Sequence, residues 1–259
     1  MGESCLPPII NPMSWRYFLY RRLSRWVSFE TRLWDDTWLS LRSKYDAASF
    51  SDVFCDPFYW QAYGWIDPAP KLVVDCGANC GHFTILAEKC IRARHGTSDT
   101  RYVLVEPNPL LMETLSRNLR EAGLWDRSVI KQNLLGASGG SAMLWVNPRN
   151  FMSSGLTQTA GAKPYSVNFI DLADAVGPSS SIDLMKLDIE GGEYPLVRSN
   201  PRFFSRVKTL FLEMHGEDEA QHKELLEGLA SAGMTQAVPA RKAHGHQLLI
   251  LTGKGQPPA

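Results

Sequence analysis

The run Leu72-Val73-Val74-Asp75-Cys76-Gly77-Ala78-Asn79-Cys80-Gly81-His82-Phe83-Thr84 changes character twice. Its apolar start reads as a short buried strand, and a glycine-bearing turn follows. Phe83 to Arg94 then reads as a helix stopped by Gly96. The same alternation continues along the chain. Tyr102–Val105 is predicted as a second strand and Leu110–Ala122 as a helix entered through Pro109. Val129-Ile130 belongs to a third strand, and Ala142–Val146 reads as an added one. Ile182–Leu187 and Val207–Leu212 are strands four and five, and Glu219–Ser231 is a helix. Met234–Val238 and Gln247–Leu251 form an antiparallel hairpin. Residues 147–166, rich in Asn, Pro, Ser and Gly, read as a long loop of the kind that binds or covers a ligand. Strands alternating with helices imply an α/β fold, a mostly parallel sheet covered on both faces.

Upstream of this pattern the composition differs. Six of the eight tryptophans, Trp15, Trp26, Trp34, Trp38, Trp60 and Trp65, lie in residues 1–65. Leu19, Leu23, Trp26, Glu30 and Leu33 follow a helical spacing, so Ser14 to Trp34 is predicted as an amphipathic helix. The expected organisation is a helical, aromatic-rich N-terminal arm over residues 1–65 and a catalytic domain over 66–259. Packing of the arm on its own domain, or on a second subunit in a homo-oligomer, is preferred to contact with a membrane surface.

The chain has 259 residues and 44% hydrophobic content, ordinary for a globular protein of one large domain or two small ones. Lys+Arg and Asp+Glu both number 27, so formal net charge is zero. That argues against a dedicated nucleic-acid binder. No apolar run approaches the roughly 18 residues that span a bilayer. No basic segment leads into an apolar one at the N-terminus, and five sparse cysteines suit free thiols, so a cytoplasmic location is expected. Cys76 and Cys80 lack the further ligands that zinc or a cluster needs, and read as small apolar fillers.

In an open parallel sheet, ligands sit beyond the carboxyl ends of the strands. Four such ends carry chemistry here: Asp75 to Gly81, Glu106-Pro107-Asn108, Gln132-Asn133, and Asp188-Ile189-Glu190-Gly191-Gly192-Glu193. The first has glycines at 77 and 81, which let the backbone approach a ligand, without the G-x-G-x-x-G dinucleotide fingerprint or a phosphate loop. Glu106, 29 positions after Gly77, is placed to accept both hydroxyls of a ribose. A glycine turn and a ribose acid without a diphosphate cradle suit S-adenosylmethionine.

These motifs resemble those of the FkbM-type methyltransferases, which are class I S-adenosylmethionine-dependent enzymes. Val73 to Thr84 resembles their first motif, Val105-Glu106-Pro107-Asn108-Pro109 the second, and Met185 to Glu193 the Lys-x-Asp-x-Glu-Gly-x-Glu box. Ile170-Asp171-Leu172 is similar to the segment before strand four, and Leu212-Glu213-Met214-His215 to the acidic end of strand five. The resemblance spans roughly residues 50 to 252 in the expected order. It implies a Rossmann-like, seven-stranded, mostly parallel sheet with a C-terminal antiparallel hairpin. It also implies cofactor contacts at Asp75, Gly77, Asn79, Gly81, Glu106, Asn108 and Asp188, with Asn133 and Leu134 flanking the adenine.

Three carboxylates, Asp188, Glu190 and Glu193, lie within one short stretch; Glu193 also complements a helix N-terminus. Asp188 is expected beside the methyl donor and Glu190 towards the acceptor. Glu213 and His215, two residues apart, share a strand face, and His215 is the preferred general base because imidazole titrates near neutrality. His82 is a lesser candidate, and His244 and His246 are expected at the surface. Lys186, odd in a buried strand, is expected to reach an acidic partner or the site. No metal site is predicted. Magnesium on Asp188 and Glu190 is the alternative to a metal-free route, which is preferred because no further oxygen ligand is evident on strand four. The expected reaction is O-methylation of a hydroxyl on a small molecule or sugar, its acceptor set by residues 147–166. N-methylation is the alternative, disfavoured by the absence of an Asn-Pro-Pro-Tyr-type motif after strand four. A silent cofactor-binding scaffold is the alternative from another class.

Overall fold

A computed structural model describes residues 29–253, apart from 137–138, 149, 178–180, 217 and 244–245. In chain order, strands β1 (Phe29–Arg32) and β2 (Trp38–Leu41) lead into helices α1 (Lys44–Phe54) and α2 (Pro57–Trp60). Then come β3 (Leu72–Cys76), α3 (His82–His95), β4 (Arg101–Val105), α4 (Met112–Glu121) and β5 (Ser128–Lys131). Four strands follow: β6 (Leu134–Leu135), β7 (Ser141–Asn147), β8 (Asn150–Gly155) and β9 (Lys163–Ile170). The last third holds α5 (Leu172–Val176), β10 (Ile182–Leu187), α6 (Glu193–Ser199), β11 (Val207–Met214) and α7 (Glu219–Ser231). It ends with β12 (Thr235–Gln236), β13 (Arg241–Ala243) and β14 (His246–Thr252).

The main sheet runs β12-β14-β11-β10-β3-β4-β5, with β13 paired to β14. The five strands from β11 to β5 are mutually parallel, and β14 and its partners are antiparallel. This is the α/β sheet with a C-terminal antiparallel addition that the sequence predicts. Apolar side chains alternate between two cores. Val73 and Phe211 face α3 and α4 on one side. Leu72, Val74, Leu210 and Leu212 meet α5, α6 and α7 on the other. Strand order reverses between β3 and β10, so a crevice opens beyond their carboxyl ends.

Residues 147–166 are not the expected loop. They supply β8 and the start of β9 in a second sheet ordered β6-β9-β7-β8. In β9 Val167 is buried, Tyr165 and Phe169 on the same face are half-buried, and Ser166 and Asn168 on the other face are exposed, so one solvated face gives the stretch its polar composition. Leu144, Val146 and Val167 pack with Leu110 and Leu134, fixing this sheet beside the end of β5.

From Phe29 the chain is also not the expected helix; residues 14–28 lie outside the described residues. Asp36 adopts φ 65°, and Leu33 N donates to Thr37 O at 2.8 Å. Asx chemistry at Asp35-Asp36 therefore wins over helical spacing and closes a β1–β2 hairpin. Leu33, Leu39, Leu41, Phe50, Phe54 and Trp60 join the same core as Val73 and Phe83. Asp46, fully buried, fastens this segment. Its carboxylate accepts from Arg117 Nη2 at 2.5 Å, Asn118 Nδ2 at 3.0 Å and Arg42 N at 3.0 Å. Asn118 Nδ2 also donates to Cys80 O at 2.9 Å, so the chain of bonds reaches the glycine turn. Asp46→Ala is expected to cost about 3–5 kcal/mol, because it strands Arg117 and Asn118 inside the protein. Urea unfolding measures this as a lower midpoint at unchanged slope; a loss below about 1 kcal/mol would show that the anchor is unimportant.

Candidate active site

The turn after β3 is built on three consecutive constraints. Gly77 and Gly81 have φ of 76° and 81°, and Asn79 has φ 50°. A Cβ on Gly77 would lie 1.6 Å from the Asp188 carbonyl oxygen, so the ends of β3 and β10 touch backbone to backbone there. The turn's amides are spent on protein acceptors. Gly77 N and Ala78 N donate to Val105 O at 2.9 and 3.1 Å, and Gly81 N to Ala78 O at 2.7 Å. Asn79 N donates to Glu106 Oε2 at 2.8 Å, and Asn108 N to Glu106 Oε1 at 2.9 Å. Those four turn amides are thus committed, and a diphosphate would find no cradle in them. Burial pushes the Glu106 carboxyl up to about 7, against the two amide hydrogen bonds that work to lower it.

Two cavities meet at this turn. One, of about 340 Å³, is lined by Glu106, Asn108, Leu111, Leu134 and Leu144, with Ser154 to Thr157 closing it. The other, of about 390 Å³, is lined by Ser49, Asp52, Asp56, Tyr59, Lys186, Glu213, His215 and His246. Gly77, Asn79, Asp188 and Glu190 line both. Helices α1 and α2 therefore build one wall of the second cavity, and residues 154–157 touch the first.

Lys186, buried in β10, pins the junction. Its ammonium donates to Asp188 Oδ2 at 2.8 Å and to Gly77 O at 3.0 Å, and lies 4.0 Å from Asp75 Oδ1. Asp75 also accepts from Thr84 Oγ1 at 2.8 Å, yet its burial raises its pKa. His215 stands among four carboxylates. Nδ1 is 3.1 Å from Glu193 Oε1, and Nε2 is 3.5 Å from Glu190, 3.6 Å from Asp188 and 3.9 Å from Glu213. Burial opposes charge on the ring, but Glu193 and the other carboxylates outweigh it and push His215 up to about 9. An imidazole free at neutral pH, as the sequence reading expected, is not what this setting gives. Glu213, which accepts from Tyr59 Oη at 3.3 Å, is pushed up to about 7 by burial and by Asp188. Glu190 is also raised, chiefly by burial, and holds an unusual φ of 56°.

The family described as "Methyltransferase FkbM domain" matches residues 75–235, more than half of the chain. The chain belongs to the FkbM methyltransferase family. Among solved structures it is similar to a ribosomal protein L11 methylase from Lactobacillus delbrueckii subsp. bulgaricus. That match has 14% identity, 76% of this chain and 77% of the other covered, and TM-score 0.47. It is also similar to an O-methyltransferase from Bacillus cereus in complex with SAH, at 10% identity, 80% and 86% coverage and TM-score 0.46. A putative RNA methyltransferase from Pyrococcus horikoshii matches at 12% identity, 82% and 88% coverage and TM-score 0.46. No curated protein matches significantly.

Of the residues that the FkbM resemblance assigns to the cofactor, Gly77, Asn79, Glu106, Asn108, Leu134 and Asp188 line the first cavity. Asp75 lies beneath the turn, bound to Thr84, and Gly81 packs against Leu115. Asn133 turns aside and donates to Asn168 O at 3.2 Å, because β9 claims it. Asp188, Glu190, Glu213 and His215 converge on the second cavity. His82 does not: it is fully buried against Ser49 and Asp46, and burial pushes it down to about 4. Cys76 and Cys80 are fully buried fillers. His246 corrects the surface expectation, since its ring centroid lies 4.4 Å from that of His215; His244 lies outside the described residues. Ser49, Asp52, Asp56 and Tyr59 escaped sequence reading because their aromatic stretch reads as packing alone. Among the described residues, no helix is long and apolar enough to cross a membrane.

The two turn glycines separate in a stability measurement. Gly77→Ala meets the Asp188 backbone and is expected to cost more than the roughly 1–3 kcal/mol of left-handed strain alone. Gly81→Ala meets only the tip of Leu115 at 2.7 Å and should cost less. Equal chemical denaturation midpoints for the two would refute the tight β3–β10 approach.

Proposed function

We propose that this FkbM-family protein transfers the methyl group of S-adenosylmethionine to a hydroxyl of a small molecule or sugar. The observation that carries the reading is the pair of cavities meeting at Gly77, Asn79, Asp188 and Glu190. The first fits a nucleoside without a diphosphate. Glu106 keeps lone pairs beyond its two amide bonds for ribose hydroxyls, and Leu111, Leu134 and Leu144 offer an apolar wall to the base. When bound, S-adenosylmethionine supplies an electrophilic methyl whose bond to sulfur breaks as the bond to oxygen forms, leaving S-adenosylhomocysteine and a methyl ether.

The chain's own residues orient the acceptor and take its proton. Lys186 neutralises Asp188 and holds the junction closed. Glu190, at the junction, accepts the hydroxyl proton on Oε2. Its raised pKa makes it a stronger base than an ordinary carboxylate. His215, charged at neutral pH, steadies Glu190 from 3.5 Å and favours negative charge developing on the acceptor oxygen. Asp52, Asp56 and Glu213 in the second cavity suit hydrogen bonding to a polyhydroxylated acceptor and repel phosphates, which supports a sugar or small molecule over nucleic acid.

Glu106→Ala is expected to weaken S-adenosylmethionine binding by about 1.5–3 kcal/mol per lost hydrogen bond, measured by calorimetry on protein shown to be folded. Unchanged affinity would remove Glu106 from the site. Glu190→Gln should lower kcat for hydroxyl methylation by roughly 10²–10⁴ with cofactor affinity preserved. The working form of Glu190 is ionised, so kcat should fall as pH drops through a value above the ordinary glutamate range. Cofactor binding without methyl release across a hydroxyl library would favour a silent scaffold.

A further inference from the structure

The cluster around His215 has the anatomy of a ligand set for a metal ion. Strand β14 runs antiparallel beside β11 with Met214 opposite Gln247. The next step along both brings His215 and His246 together, their ring centroids 4.4 Å apart. Glu213 shares that strand face, and one ligand atom from each of Glu213, His215 and His246 lies within 4.8 Å of the others. Atoms bound to one tetrahedral ion at zinc-like bond lengths sit about 3.3–3.6 Å apart. The three atoms therefore need to close by no more than about 1.5 Å.

His215 is also held as a metal-ligating imidazole is held. Glu193, fully buried, accepts from Ile189 N at 2.7 Å and sits 3.1 Å from His215 Nδ1. A carboxylate on one ring nitrogen fixes the tautomer and aims the other, here Nε2, at the cavity. Asp188, Glu193 and His215 form a second set of ligand atoms within 4.8 Å of one another. In that set Asp188 Oδ2 is tied to Lys186 and Glu193 Oε1 already bonds Ile189 N and His215 Nδ1, so the geometry favours the set at the ends of β11 and β14.

We propose that Glu213, His215 and His246 bind a first-row divalent transition metal in the second cavity, with Glu193 as the positioning residue. Two imidazoles and one carboxylate select zinc, cobalt, manganese or iron over magnesium or calcium, which prefer all-oxygen sites. Three protein ligands leave a position open to the cavity, where an acceptor oxygen can coordinate. The role, but not the site, rests on the methyl-transfer reading: the ion displaces the proton that metal-free His215 carries on Nε2, takes over its positive charge, and lowers the pKa of the hydroxyl, whose proton passes to Glu190.

The test uses the full chain, stripped with chelator and titrated with Co(II). The expected result is one ion per chain with the intense visible bands of four- or five-coordinate cobalt. His246→Ala and His246→Phe should both lose those bands, and Glu193→Gln should weaken binding about 10–100-fold. S-Adenosylmethionine affinity, measured on the same samples, checks their folding and should be unchanged. Weak non-stoichiometric binding, or cobalt bands that survive both His246 variants, would overturn the proposal. Failure of the wild type to bind S-adenosylmethionine would overturn the methyl-transfer reading instead, while the cobalt titration would still decide the site.

Discussion

Lys186 sits in the interior where a lysine is costly, and what surrounds it explains why it is there. Its ammonium holds Asp188, the Gly77 carbonyl and, at longer range, Asp75. Those groups belong to the ends of the two central strands, at the position where strand order reverses. Gly77 admits the Asp188 backbone because it has no Cβ, and the lysine bridges the seam so formed. Asp75 and Asp188 outweigh the burial that works against the lysine's charge, holding it protonated. Removing the cation would leave carboxylates facing one another in a region of low dielectric constant, where each costs several kcal/mol unpaired. The division into two cavities follows from this seam.

The segment before β3 shapes the second cavity as well as the core. Asp56 caps α2 and pairs with Arg241, while Tyr59 reaches Glu213. One wall of the second cavity therefore depends on aromatic residues seated against α3 and β11: Phe58 and Phe83 both contact Phe211. The small sheet of β6 to β9 serves the other cavity. The second cavity thus takes one wall from the segment before the first central strand and the rest from β10, β11 and β14.

The main sheet was readable because its strands are continuous apolar runs and its helices end at glycines. Most residues of the first cavity were readable because they sit at fixed offsets after those runs. The rest depended on non-local contact. The spacing of Trp26, Glu30 and Leu33 reads as helical, but the bond from Leu33 N to Thr37 O and the Asp35 turn close a hairpin instead. Tyr165, Val167 and Phe169 carry a two-residue period that starts at the end of the polar stretch 147–166 and runs past it, so neither side shows it alone. His246 looked exposed because nothing near it in sequence marks His215 as its neighbour. His215 lines the second cavity, but its charge depends on Glu193, Asp188 and Glu190 around it, which no pattern in one strand encodes.

The anchors of the N-terminal segment have a consequence for how the chain is made. Asp46 waits for Arg117 and Asn118, 71 and 72 residues later, and Tyr59 waits for Glu213, 154 residues later. Asp56 finds Arg241 only after 185 residues. The segment before β3 meets α3 early, through Lys89–Asp35 and His82–Ser49, but its contacts to β11 and β13 must wait until nearly the whole of this sequence is present. Loop closures of this span slow folding and prolong the exposure of sticky intermediates. The wall of the second cavity is therefore closed last, by Tyr59 on Glu213 and Asp56 on Arg241, after the core beneath it can already form.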